Sequence, residues 1–292
     1  MNARPFGTLR GDLMDAHTRY VALFAAGTLL AMLSLLRALR RVTEPASAQP
    51  NAARRLVMVG EVLGTMLVGA AVVKNNVHGE SLRDDLVWTG VFALAGLLMV
   101  QVVGRLSLRA LFHARLPAEL DEDNASAGLA AASHLVATGL LASRAVAGHS
   151  ARELGLALAF FALALLAHGA FVALFRALTT YDDAEQIQGE NLAAGISYAG
   201  LTVSVAVLIA RAVEGDFAGW AASLKGFAGV AAWALALYPV RQLVVGGILL
   251  GARPTLRGGP LDEAIGTTRD AGIAALEATA YVGTALVIVG VA

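Results

Sequence analysis

Between Asn191 and Arg211 the chain reads LAAGISYAGLTVSVAVLIA, about twenty residues without a charge, long enough as a helix to cross roughly 30 Å of hydrocarbon. The connector before it, TTYDDAEQIQGE, is too acidic to enter lipid. The change falls at Asn191, whose side-chain oxygen is expected to accept from the free backbone amides of the first helical turn. Ala194, Gly195, Ala199 and Gly200 leave one face of this helix without bulk. Hydrophobicity drives helices together only weakly in a bilayer, so close backbone approach over small residues is a main source of packing energy. This helix is therefore expected to lie against protein rather than acyl chains.

The same pattern recurs. LDEDNASAGLAAASHLVATGLLASRAVAG superimposes without a gap when Asn124 is laid on Asn191, pairing Ala127 with Ala194, Gly128 with Gly195, Arg144 with Arg211 and Gly148 with Gly215. Weaker copies stand at both ends. RRLVMVGEVLGTMLVGAAVV carries Gly60 and Gly64 at small-xxx-small spacing, and GTTRDAGIAALEATAYVGTALVIVG aligns Ala271 and Gly272 with Ala194 and Gly195. An apolar segment precedes each copy, so the repeating unit reads as a helical hairpin, used four times through duplication. The expected fold is all-α, a polytopic membrane bundle of about eight helices in four hairpins.

Composition supports the class: 57% of residues are hydrophobic and only 15% charged, against about a quarter charged in soluble domains. A net charge of zero removes the electrostatic case for nucleic acid. The absence of cysteine excludes disulfides and thiolate chemistry. The N-terminal MNARPFGTLRGDLMDAHTRY is too polar to read as a cleaved signal peptide. Spans are predicted over 19–39, 56–73, 86–106, 125–146, 154–174, 192–212, 227–250 and 273–291. Connectors or flanks bearing Arg37, Arg40, Arg41, Arg54, Arg55, Arg105, Arg109, Arg115, Arg176, Arg253 and Arg257 all fall on one side, which the positive-inside rule makes cytoplasmic. Both termini are then expected in the periplasm. Trp88, Trp220 and Tyr20 fit an interfacial aromatic belt.

The run from Tyr181 to Gly215, with Tyr181, Asp182, Asn191, Ala193, Ala194 and Gly200, resembles the first hairpin signature of the domain-of-unknown-function 350 (YjfL-like) family of bacterial inner-membrane proteins. The stretch from Gly266 to Ala292 resembles its second hairpin, with Ala271, Gly272 and Gly283 as counterparts and Thr268 where the family has Asn. The family's unit of four membrane helices implies two tandem units here, 1–148 and 149–292. In the first, Leu56 falls near the expected Asn. The resemblance implies an inner-membrane location and no agreed activity.

Ionisable residues deep in a span cost a few kcal/mol and must face protein or water, so they are the best functional candidates. Glu61 lies on the second span, His134 on the fourth, His168 on the fifth, Arg241 on the seventh and Glu277 on the eighth. Arg241 and Glu277 share a hairpin and should reach similar depth. One reading is a buried ion pair that fixes helix packing, which leaves open whether Arg241 meets Glu277 or Glu61. The other is a hydrated path for protons or a cation over all five residues, with Pro239 opening the backbone beside Arg241. Asn124 and Asn191 read as caps, and Gly60, Gly64, Gly128, Gly195 and Gly200 as packing positions. LRGGP, 256–260, reads as a turn. No cofactor or metal is expected, since ligands scattered over three helices carry no spacing signal, and no grouping of Ser, His and Asp points to an enzyme.

Two function classes remain. One is a channel or transporter for protons, a cation or a small polar solute, with a polar route between the two units. The other is a scaffold or stress-response partner that anchors cytoplasmic proteins. The expected partners are the lipid bilayer, a second copy of the chain through exposed small-residue stripes and, for the scaffold, a cytoplasmic protein.

Overall fold

The computed structural model describes residues 15–43, 49–111, 115–255 and 257–291. The N-terminal stretch 1–14 and Leu256 of the LRGGP turn lie outside the described residues. The described residues are helical, without strands, and eight helices are long and apolar enough to span a membrane: α1 (Ala16–Thr43), α2 (Ala52–Asn76), α3 (Leu82–Arg109), α5 (Ala125–Ala145), α6 (Ala151–Leu178), α8 (Leu192–Val213), α9 (Trp220–Leu249) and α11 (Ala271–Val291). Three short helices precede caps on one face: α4 (Leu116–Asp121), α7 (Asp183–Gln188) and α10 (260–267).

The principal contacts string α2, α5, α8 and α11 into a row, with α1, α3, α6 and α9 alongside. Small residues make the row possible. A Cβ at Gly128 would stand 2.7 Å from Ala53 Cα, at Gly60 2.5 Å from the Ala132 carbonyl oxygen, at Gly64 2.8 Å from that of Leu135, and at Gly195 2.5 Å from Ser126 Oγ; Gly200 lies against Ala278. Larger side chains there would force neighbouring helices apart and forfeit the packing that holds helices together in lipid. Gly272 and Gly283 play no such part. Nothing lies within 4 Å of a Cβ at Gly283, and at Gly272 such a Cβ meets only Asp270.

The corners share a construction that differs at both ends from the sequence register. Asn124 caps α5 by accepting from Ala127 N at 3.1 Å, and Asn191 caps α8 by accepting from Ala193 N and Ala194 N. The cap of α2 is Asn51, five residues before Leu56, accepting from Arg54 N at 2.8 Å. The cap at α11 is Asp270, two residues beyond Thr268, accepting from Gly272 N and Ile273 N. Three of the four follow a residue in the left-handed region: Asp123 (φ 60°), Glu190 (φ 59°) and Arg269 (φ 56°). Each asparagine also donates across to the next short helix, Asn51 to the Leu120 carbonyl at 2.6 Å, Asn124 to Ile187 at 2.8 Å and Asn191 to Ile265 at 2.8 Å. Residues that cap one helix thus tie the row together on this face, called the asparagine face below.

Two outer helices are not regular. The α3 ladder widens to π geometry over Met99–Val103, and α9 passes through a 3-10 segment, Ala232–Ala236, and a π segment, Arg241–Leu249. Pro239 sits between the two segments of α9, where it lacks an N–H and its ring crowds the carbonyl four residues back. Such breaks are the usual causes of a bend and often accompany function.

Candidate functional site

The five ionisable residues of the sequence reading fall into three groups. Glu61 and His134 each stand ten residues past their caps, 51 to 61 and 124 to 134, or about 15 Å into the bundle; Glu277 stands seven past Asp270, or about 10 Å.

In the second unit Arg241 is enclosed by two carboxylates. Its Nε donates to Glu277 and its Nη2 to Asp262 Oδ1 at 2.6 Å. Arg241 and Glu277 are each 1% exposed and Asp262 3%. Ser197 donates to the other oxygen of Glu277, and the second oxygen of Asp262 accepts from Thr180 N at 2.7 Å and Thr180 Oγ1 at 3.0 Å. The guanidinium carbon lies 5.9 Å from the Tyr238 ring centroid, a cation–π distance. Both carboxylates in their charged form would leave one negative charge in excess. Sequence reasoning placed Arg241 and Glu277 here but missed Asp262, which follows Pro260 in the α9–α11 connector. A connector residue has no depth that can be counted along a span.

An opening of about 620 Å³ on the asparagine face borders one member of this cluster, Asp262. Its wall includes Tyr181, Asp182, Glu185, Asp262 and Glu263, and none of the described residues that line it is a lysine or arginine. Behind Asp182, the buried Asp183 accepts from Arg176 Nε at 3.1 Å, yet burial dominates and pushes its carboxyl up to about 6. Burial likewise raises the Tyr181 phenol well above its usual range. On the opposite face a larger cleft, about 730 Å³, runs down between Phe160, Phe227 and Val230 from a mouth bearing Arg144, Arg152, Glu153, Arg211 and Glu214. Between them lie the buried Ala231, Ala234 and Leu237 of α9, on the stretch containing the 3-10 turn.

In the first unit Glu61, also 1% exposed, meets Arg40 at 3.1 Å and Arg105, which in turn donates to Thr43 Oγ1 at 2.7 Å. Here, among the described residues, two guanidinium groups face one carboxylate. Gln101 Nε2 donates to Thr65 Oγ1 at 3.3 Å nearby.

The third group lies where the units meet. The His134 and His168 rings stand edge to face, centroids 6.0 Å apart. His168 Nε2 donates to the Thr202 carbonyl at 3.0 Å. Ser107 Oγ stands 2.6 Å from His134 Nε2 and 2.8 Å from Gly104 O. Each ring keeps a buried Nδ1 without a hydrogen-bond partner. Glu61 lies on neither side of this pair within bonding reach. The packing glycines Gly60, Gly64, Gly128, Gly195 and Gly200 and the caps Asn124 and Asn191 hold these helices in place rather than entering a cluster.

Eight apolar spans with scarce, inward-turned charges define a multi-pass membrane protein. Its sequence matches the family model described as Domain of Unknown Function (DUF350) twice, over residues 12–146 and 149–292, so the chain belongs to that family as two tandem units. No curated protein and no solved structure matches it significantly.

Proposed function

We propose that this protein transports protons across the membrane through its second unit. The observation that carries the reading is the charge balance around Arg241: one guanidinium between two buried carboxylates, one of which, Asp262, borders an acidic vestibule. An unbalanced buried charge is costly, so the site favours uptake of a proton or a small cation that neutralises it. Burial raises the carboxyl of Asp183, next to the lining residue Asp182, to about 6, which favours its neutral form as a proton donor near neutral pH. The cleft on the opposite face supplies the second aqueous approach, and the broken α9 between them is the element expected to move, as interrupted helices do in transporters. The barrier to be crossed is roughly 10 Å of 3-10 helix and its neighbours.

Reconstituted vesicles test this. With an imposed membrane potential and an internal pH dye, the parent should acidify or alkalinise the lumen. Glu277→Gln and Asp262→Asn should each slow that flux at least about ten-fold, the equivalent of 1.4 kcal/mol, while Glu61→Gln leaves it near the parent rate. A folded parent that passes no protons defeats the proposal; passage of Na⁺ or K⁺ in their place moves it to a cation. The alternative is a scaffold that anchors a cytoplasmic protein. It is favoured by the close pairing of Glu61, Arg241 and Glu277, as in a purely structural network, and total absence of flux would support it.

A further inference from the structure

On the face opposite the asparagine caps, remote from the ion clusters, the structure brings together residues that the sequence scatters over more than seventy positions, 78 to 149. His78 from the α2–α3 turn, Asp85 from the first turn of α3 and His149 from the α5–α6 turn each offer a ligand atom, and the three atoms lie within 4.8 Å of one another. We infer that His78, Asp85 and His149 form a binding site for a divalent transition-metal ion of the zinc type, one that joins the first unit to the opening residue of the second.

The chemistry of the donors fits. Two imidazoles with one carboxylate is a ligand set that zinc and its neighbours prefer, whereas calcium and magnesium take oxygen almost throughout. The ligands are held from behind. Asp85, 3% exposed, accepts from His78 N at 3.2 Å, from Gly79 N at 2.9 Å and from Tyr20 Oη at 2.9 Å, which fixes its carboxylate. A carbonyl can only accept, so the 3.0 Å contact of His149 Nε2 with Asn76 O makes that nitrogen the N–H donor. In the neutral ring this leaves Nδ1 with a free lone pair. A backbone carbonyl on the far nitrogen is the usual outer support of a metal-binding histidine.

The two turns that carry the histidines are bonded to each other. Asn76 Oδ1 accepts from Gly148 N at 3.0 Å and Asn75 Nδ2 donates to Val146 O at 3.2 Å, leaving the His78 and His149 rings with centroids 4.7 Å apart. Tetrahedral ligands at about 2.1 Å from zinc are about 3.4 Å from each other, so closure asks for little more than a rotation of the exposed His78 ring. His17 lies nearby without joining the three: its Nδ1 is 3.3 Å from where a Cβ on Gly79 would be, and Gly79 itself has φ 79°. Two of the chain's six histidines thus gather around one anchored carboxylate.

Tag-free, metal-stripped full-length protein in detergent, titrated with ZnCl₂ by calorimetry and with CoCl₂ by visible absorption, tests the site. The parent should bind one ion per chain, with the cobalt absorption of nitrogen and oxygen ligands at low coordination number. His78→Ala and His149→Ala should each weaken binding at least about 100-fold, since an outer-shell partner alone is worth about 10–100-fold. Asp85 is left intact because it also holds the turn. His17→Ala should have a smaller effect. A parent that binds no ion at micromolar concentration, or a double His78→Ala, His149→Ala variant that binds as the parent does, overturns the inference. The parent titration decides on its own if a variant fails to fold.

Discussion

The two units answer the same problem, a charge in the bilayer interior, with opposite arithmetic. In the first, Glu61 lies between Arg40 and Arg105, so among the described residues two positive charges meet one carboxylate. Both arginine side chains retain some access to solvent, at 16% and 27%. In the second, Arg241 lies between Glu277 and Asp262, all three side chains being sealed, and the excess is negative. An excess that can reach water is eased by hydration, whereas a sealed one must be met by structure or by a bound ion. That contrast is why the second unit, and not the first, is proposed to take up protons.

Removing the central member of each cluster is the harshest way to break the comparison. Arg241→Ala would strand two buried carboxylates and should lower stability by about 3–5 kcal/mol, whereas Glu61→Gln, which leaves two partly hydrated guanidinium groups, should lower it by about 1–3 kcal/mol. Unfolding in detergent measured by circular dichroism checks the ranking; equal losses would mean the two clusters are equally sealed. Next in size is the helix row itself. Gly60→Leu in the first unit and Gly200→Leu in the second both drive a side chain into a neighbouring helix, and each should lower stability by about 1–3 kcal/mol. Gly90→Ala, with nothing within 4 Å of its Cβ, should be neutral or slightly stabilising. A harmless Gly200 variant would reveal that α11 can shift outward while α2 cannot.

The smallest effect is a pH dependence confined to the second unit. The Asp183 carboxyl is raised to about 6 from an ordinary value of 3.8, so its neutral form contributes stability that is fully present below about 3.8 and lost as pH rises through about 6. Asp183→Asn keeps the neutral form, and its melting temperature relative to the parent should rise between pH 5 and pH 7. The gapless superposition of the two central copies puts Leu116 where Asp183 stands, so Leu116→Asn in the first unit should give no such trend. A pH-independent difference at Asp183 would place its carboxyl outside that range.

Spans were legible because a helix that crosses lipid must be long, apolar and nearly uncharged, a demand written into every window of the sequence. The eight predicted spans match α1, α2, α3, α5, α6, α8, α9 and α11 to within four residues at each end, except that α9 begins seven residues earlier than predicted, at Trp220. The caps at Asn124 and Asn191 were legible for a similar reason, since a local side chain serves a local amide. At the ends of the chain the register was harder. Leu56 and Thr268 were read by alignment, while Asn51 and Asp270 cap the helices, because a cap is set by where the backbone turns and not by apolar pattern. The Arg241 and Glu277 pair came from depth counting, which works along one hairpin and fails for Asp262 in a connector.

By itself, then, the sequence determined that this chain lives in a membrane, how often it crosses, where small residues let helices touch and which charges lie deep. These follow from the solvent, which acts on each segment separately. Only the tertiary structure decided which charges share a site, that Glu61 and Glu277 never meet, that His134 faces His168, and that His78, Asp85 and His149 converge. Such neighbours are chosen by the order in which packed helices stand side by side, and no period or spacing within one helix encodes that order.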